Sequence, residues 1–192
     1  MLPMASSLLN DELTVGFIGG AQVDKYGNLN STVIGEYDDP AVRLPGSGGA
    51  SPIAAHCDRT IIMMPQERRR FVDDLDFLTS PGYLDGPGTR GELGLPGGGP
   101  EVLVSDMGVY SFDDETREMV LESRHPGISV EEIREAVTWE LSVSDDVTVT
   151  ERPTEAEVEF LRRIDAEGFF LDRQRFIGEL VDAGEALIQG DY

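Results

Sequence analysis

Positive charge is scarce in this chain. Of 192 residues only 15 are lysine or arginine, against 37 aspartate or glutamate, and Lys25 is the sole lysine. A formal net charge of −22 repels phosphate backbones and anionic lipid, so nucleic acid and membrane surfaces are poor candidate partners. Cysteine is limited to Cys57, which rules out an internal disulfide, and with only His56 and His125 beside it no closed zinc site can be built. No apolar run reaches the length of a membrane span, and the first residues lack a basic segment followed by an apolar one. A cytoplasmic protein with a single domain over residues 1–192 is expected.

What the chain does have is glycine in telling places. Gly46-Ser47-Gly48-Gly49 runs into Ala50-Ser51-Pro52-Ile53-Ala54-Ala55, a glycine turn opening a helix to about His56. Three glycines in four positions permit backbone angles closed to other residues and let a ligand approach the main chain. Ser51 suits the N-cap and Pro52 the first helical position. Free amides in such a turn can seat an anion or a developing oxyanion. The same glycines serve equally well in a tight connection that binds nothing. Ser51 stands where a dinucleotide fingerprint needs its last glycine, so that reading is weak.

Around this turn, alternating strands and helices predict an α/β fold, an open and mostly parallel sheet flanked by helices. Thr14 to Val23 reads as a buried strand, Asp24 to Gly27 as a type I turn, and Leu29 to Ile34 as the returning strand. Asn28, Asn30, Ser31 and Thr32 crowd polar groups there, suited first to turn and strand-end hydrogen bonds. Arg59 to Met64 reads as the strongest buried strand, with Met63 and Met64 in the core. Pro81 to Pro100 holds eight glycines and four prolines, a long loop of the kind that is often functional, and Arg90 is its first residue to test. Val109–Phe112 and Met119–Leu121 predict a β-hairpin. Capping boxes at Ser129–Glu132 and Thr154–Glu157 open two C-terminal helices, the second with an apolar stripe of Val158, Leu161 and Ile164. Residues 168–192 suit a further helix or a tail.

Isolated chemical signals are weak. His56-Cys57 are sequence neighbours that generally point apart, and Ser47 has no base positioned by spacing. The Arg68-Arg69-Arg70 cluster could face ligand phosphates, acids of this chain or an acidic partner, internal pairing being the commonest outcome.

Several strings in fixed order are more specific. Phe17-Ile18-Gly19-Gly20-Ala21-Gln22-Val23-Asp24, Tyr26-Gly27-Asn28-Leu29-Asn30-Ser31-Thr32, Gly46-Ser47-Gly48-Gly49-Ala50, Thr60-Ile61-Ile62-Met63-Met64 and Thr79-Ser80-Pro81-Gly82-Tyr83-Leu84-Asp85-Gly86-Pro87-Gly88 together resemble the β subunits of class I coenzyme A transferases, in particular those like the β subunit of glutaconate CoA-transferase. The resemblance implies an enzyme that moves coenzyme A between an acyl-CoA and a carboxylic acid. Coenzyme A is then a substrate, no further cofactor is needed, and an α subunit is the partner. It implies a glutamate that attacks the acyl-CoA, giving a mixed anhydride and then a glutamyl thioester. It assigns the Gly48 and Gly49 amides to the oxyanion, with Gly46, Ser47 and Asn30 as candidate substrate contacts. In the family that glutamate lies upstream of the part matched here, so the resemblance also implies an N-terminally truncated β subunit, inactive alone. Some relatives lack the glutamate and hydrolyse CoA thioesters in ring degradation, and a non-catalytic structural subunit is a third alternative.

The charge excess itself is testable. Self-repulsion opposes the compact state unless salt screens it, so the chain reads as adapted to a salty, halophilic cytoplasm. Its melting temperature should rise steadily from low to molar salt; a flat response would remove this reading.

Overall fold

The structure, a computed structural model, describes residues 15–166 and 168. The expected tail reading over 168–192 lies, apart from Gly168, outside the described residues. By internal packing the chain divides into two compact units, one ending at Thr150 and one beginning at Glu151.

The first unit is built on a six-stranded sheet. Strands β1 (Val15–Ile18), β6 (Arg59–Met63) and β7 (Pro100–Val104) run parallel. A tight turn then makes β8 (Gly108–Phe112) and β9 (Met119–Arg124) antiparallel neighbours, the expected hairpin, and β10 (Ser142–Val149) returns parallel to β9. Their order across the sheet is β1-β6-β7-β8-β9-β10. The α/β, mostly parallel fold expected from the sequence is therefore present. Two small antiparallel pairs, β2 (Gln22–Val23) with β3 (Leu29–Asn30) and β4 (Val33–Gly35) with β5 (Pro40–Arg43), lie between β1 and the first helix in sequence.

The core collects Val23, Leu29, Ile62, Phe71, Leu103, Tyr110, Met119, Leu121 and Ile133, all buried. Helix α1 (Ala50–His56) lies against β1, where a side chain at Gly16 would run into Ile53. A second short helix, α2 (Thr89–Glu92), sits within the glycine-rich loop. Helix α3 (Val130–Glu135) opens on the expected Ser129–Glu132 capping box and inserts Ile133 into the core. It is capped at Ala136, and Val137 is buried beyond its end.

Two expectations about the strands need correction. Strand β6 is buried on one face only: Thr60 and Ile62 are covered, while Met63 is 55 % exposed, and on β1 Phe17, opposite Ile61, is 64 % exposed. Alternation of side chains across the pleat separates Met63 from the buried Met64. The expected strand from Leu29 to Ile34 is also two strands. Asn30 Oδ1 accepts from the Thr32 and Val33 amides while its Nδ2 donates to the Val33 carbonyl, which folds the chain back between β3 and β4.

In the second unit α4 (Glu155–Ile164) begins at the predicted Thr154–Glu157 capping box. None of its residues is buried, and Leu161 and Ile164 of the expected apolar stripe are exposed.

The turn joining β2 to β3 carries an unusual carboxylate. Asp24 is 9 % exposed and accepts from the Tyr26 and Asn28 amides and from Asn28 Nδ2. Burial outweighs those bonds and pushes its pKa up from 3.8 to about 6. The folded form thus holds this proton more tightly than the unfolded chain, so Asp24 weakens the fold as pH rises through that window. Asp24→Asn removes the titration, and its lost Asn28 bond is the same at every pH. Between pH 3.5 and 7 the wild type should lose about 2–3 kcal/mol of stability relative to this variant, measured by denaturant unfolding in molar salt; parallel pH profiles would contradict it.

Candidate functional site

The glycine turn is held from the side of β3 and β4. The Gly46 amide donates to the Ser31 carbonyl at 2.8 Å, and Ser31 Oγ donates back to the Gly46 carbonyl at 3.1 Å. The Leu44 amide donates to the Thr32 carbonyl. Behind these, Thr79 Oγ1 accepts from the Ser31 amide and lies 2.7 Å from Thr32 Oγ1. In the sequence Thr79 stands out only as the first residue of the Thr79–Gly88 string, with no role of its own.

Past Gly46 the backbone is shaped by φ rather than by crowding. Gly46 (φ 87°) and Gly48 (φ 53°) are left-handed, although a methyl group at either would meet no atom within 4 Å. Side chains are therefore excluded by backbone angle and not by space. Helix α1 starts sooner than predicted: Gly49, not Ser51, is the N-cap, and Pro52 lies within the first turn. The physical reason is Ser47, whose carbonyl accepts from the Ala50 amide at 2.8 Å and whose Oγ accepts from the Ser51 amide at 3.0 Å. Ser47 thus performs the capping expected of Ser51.

With those bonds made, the amides of Gly48 and Gly49 donate to no group among the described residues. Gly48 is exposed and Gly49 half-buried. The Ser47 amide is unbonded among the described residues as well, so three successive main-chain donors are left free on a turn whose neighbours fix it. Such donors can receive a developing negative oxygen without first breaking a bond.

Asn30 has a different position. It is fully buried, with Nδ2 donating to Gln22 Oε1 at 2.7 Å and to the Val33 carbonyl at 2.6 Å, and Oδ1 accepting from Thr32 and Val33. Its hydrogen-bonding capacity is spent on the walls behind the turn. Gln22 continues the network, donating to Asp76 at 3.0 Å and accepting the Asp76 amide.

The basic residues weighed as phosphate contacts are also engaged internally. Arg68 donates to the Glu135 and Val137 carbonyls, and Arg69 and Arg70 pair with Glu67 at 2.6 and 3.0 Å. Arg90 is buried among backbone carbonyls. The His56-Cys57 pair does not form a nucleophile: His56 Nδ1 meets the Pro52 carbonyl, while Cys57 is buried and burial pushes its thiol pKa up. Among the described residues no cluster of three or more His, Cys, Asp or Glu could hold a metal ion, and no helix is long and apolar enough to cross a membrane.

A family model described as Coenzyme A transferase matches residues 4–136, most of the chain. The chain belongs to the coenzyme A transferase family. It is 44 % identical over 176 residues to the β subunit of glutaconate CoA-transferase from Acidaminococcus fermentans, covering 91 % of this chain and 59 % of the relative. It is 42 % identical over 159 residues to the β subunit of 3-oxoadipate CoA-transferase from Pseudomonas knackmussii, covering 83 % and 61 %. Its fold superimposes on the crystal structure of glutaconate coenzyme A-transferase from A. fermentans with a TM-score of 0.76 and 43 % identity, over 82 % of this chain and 61 % of that one. The chain thus spans about three fifths of the length of these coenzyme A transferase relatives.

If Asn30 is the bridge behind the turn, Asn30→Ala leaves the half-buried Thr32 amide, the buried Val33 amide and two buried acceptors, Gln22 Oε1 and the Val33 carbonyl, short of a bond. Denaturant unfolding in molar salt should show a loss of about 2–4 kcal/mol. A loss below about 0.5 kcal/mol, the level of an ordinary surface substitution, would deny it that role.

Proposed function

We propose that this chain is the β-type component of a coenzyme A transferase that moves coenzyme A from an acyl-CoA to a carboxylic acid, with the Gly48 and Gly49 amides as its oxyanion donors. The observation that carries this reading is the pair of unbonded amides on a turn pinned by Ser31 and capped by Ser47. When a carboxylate attacks the thioester carbonyl, a C–O bond forms and the π electrons move onto the carbonyl oxygen. The two amides donate to that oxygen. Collapse restores the C=O bond, and the C–S pair leaves with coenzyme A as thiolate, giving a mixed anhydride. The described residues supply the donors, and none of their carboxylates is assigned the attack.

An α subunit completes the site in this reading. The turn lies at the surface, and Arg68, Arg69, Arg70 and Arg90 are all bonded within the chain. Coenzyme A carries several negative charges, so cations of the partner would offset the field of a chain at −22. Gly46 and Ser47 border the substrate through the backbone they shape, and Asn30 acts behind them. A cytoplasmic location agrees with the single buried thiol, Cys57.

The test is acyl-CoA exchange by the chain assembled with its α subunit in molar salt. Gly49→Pro removes one amide at a residue whose φ of −94° lies near the range that proline adopts. Turnover should fall about 10²–10³-fold with helical content intact, while Gly49→Ala, which keeps the N–H, retains most of the rate. Undiminished turnover by Gly49→Pro would exclude the oxyanion role. Hydrolysis without transfer would make the complex a thioester hydrolase, and neither activity in the wild type would leave a structural subunit.

A further inference from the structure

Helix α1 is seven residues long, far too short to persist by its own hydrogen bonds. Its position, and with it the direction of the Gly48 and Gly49 amides at its front, depends on what holds each end. At the front the holding groups are Ser31, Thr32 and Thr79. At the rear the side chain that bonds its last carbonyls is Arg90.

Arg90 is 7 % exposed and its guanidinium reaches five backbone carbonyls. Two belong to the last turn of α1: Nη2 donates to Ala54 at 3.0 Å and to Ala55 at 3.5 Å. Three belong to the glycine-rich loop: Gly97 receives Nε at 3.1 Å and Nη2 at 2.9 Å, while Nη1 donates to Gly82 at 2.8 Å and Pro81 at 3.3 Å. The Gly97 amide donates to the Ala55 carbonyl at 2.9 Å and closes the same joint. No carboxylate pairs with Arg90 among the described residues. A buried cation compensated only by carbonyls is costly to desolvate, and these carbonyls include the negative end of a helix dipole. A planar fork with five donors can serve them all, whereas an ammonium cannot.

We infer that Arg90 is a positioning residue for the oxyanion turn, clamping the rear of α1 to the glycine-rich loop so that the Gly48 and Gly49 amides at its front are held in register with the reacting carbonyl. The loop from Thr79 to Gly97 then braces the element at both ends, Thr79 in front and Arg90 behind. This inference rests on the oxyanion reading of the turn, and it gives the long loop a purpose. Arg90 lies about two helical turns from the free amides, roughly 10 Å along the helix axis, and acts through α1 rather than on substrate.

The experiment compares wild type, Arg90→Lys and Arg90→Gln, each assembled with the α subunit in molar salt, by steady-state kinetics and by hydrogen exchange. Rates are expressed per folded complex, with the folded fraction taken from melting curves. Loss of register should lower kcat about 100-fold in Arg90→Gln, with partial rescue in Arg90→Lys and KM for acyl-CoA within about twofold of wild type. Exchange should quicken over residues 44–57 and stay unchanged over the β8–β9 hairpin, 108–124. Wild-type kcat in both variants with unchanged exchange over 44–57 would overturn the inference. So would exchange that quickens equally in the hairpin, the mark of a purely structural arginine. Absence of any turnover in the wild-type complex would count against the oxyanion reading alone, and the exchange profile would then decide by itself whether Arg90 positions the turn.

Discussion

The side chain of Asn30 donates to Gln22 and to the Val33 carbonyl and accepts from the Thr32 and Val33 amides, and this closed set of bonds turns the chain out of β3 and into β4. Ser31 and Thr32, carried on that bend, are the residues whose carbonyls receive the Gly46 and Leu44 amides. The glycine turn is thus fixed by backbone bonds to a bend that is itself fixed by one buried amide. Because the site is empty of side-chain chemistry at its centre, its precision has to come from this scaffolding. For the oxyanion role proposed above such fixing matters, because a donor that meets a transient charge gains by being placed beforehand.

The strong acidity of the chain constrains how its few cations are used. Lys25, Arg59, Arg69, Arg70 and Arg117 pair with acids of the same chain. Arg43, Arg68, Arg90 and Arg124 donate to backbone carbonyls. Arginine suits the second duty, since its fork can satisfy several carbonyls at once. These nine cations are thus engaged within the chain.

Much of the architecture was legible in the one-dimensional pattern because its causes are local. The capping boxes at Ser129 and Thr154, the β8–β9 hairpin, and the entry from the glycine turn into α1 each depend on residues within a few positions of one another. Burial was less legible. The apolar stretch Arg59 to Met64 looks uniformly internal, yet Met63 and Phe17 project from the face opposite the core. Composition reports that a strand is apolar without reporting which of its faces is covered.

By itself the sequence determined the α/β class, the family, and a glycine turn with left-handed positions ahead of a helix, because each follows from residue type and short spacing. Only the tertiary structure decided which amides in that turn stay free, since this depends on Ser31 and Ser47 accepting from the Gly46, Ala50 and Ser51 amides, with Thr79 holding Ser31 from behind. It also decided the burial of Arg90 among backbone carbonyls and the confinement of Asn30 to the interior. Those outcomes rest on contacts between residues as far as 48 positions apart, as from Ser31 to Thr79, and no local pattern encodes which of several polar groups will meet.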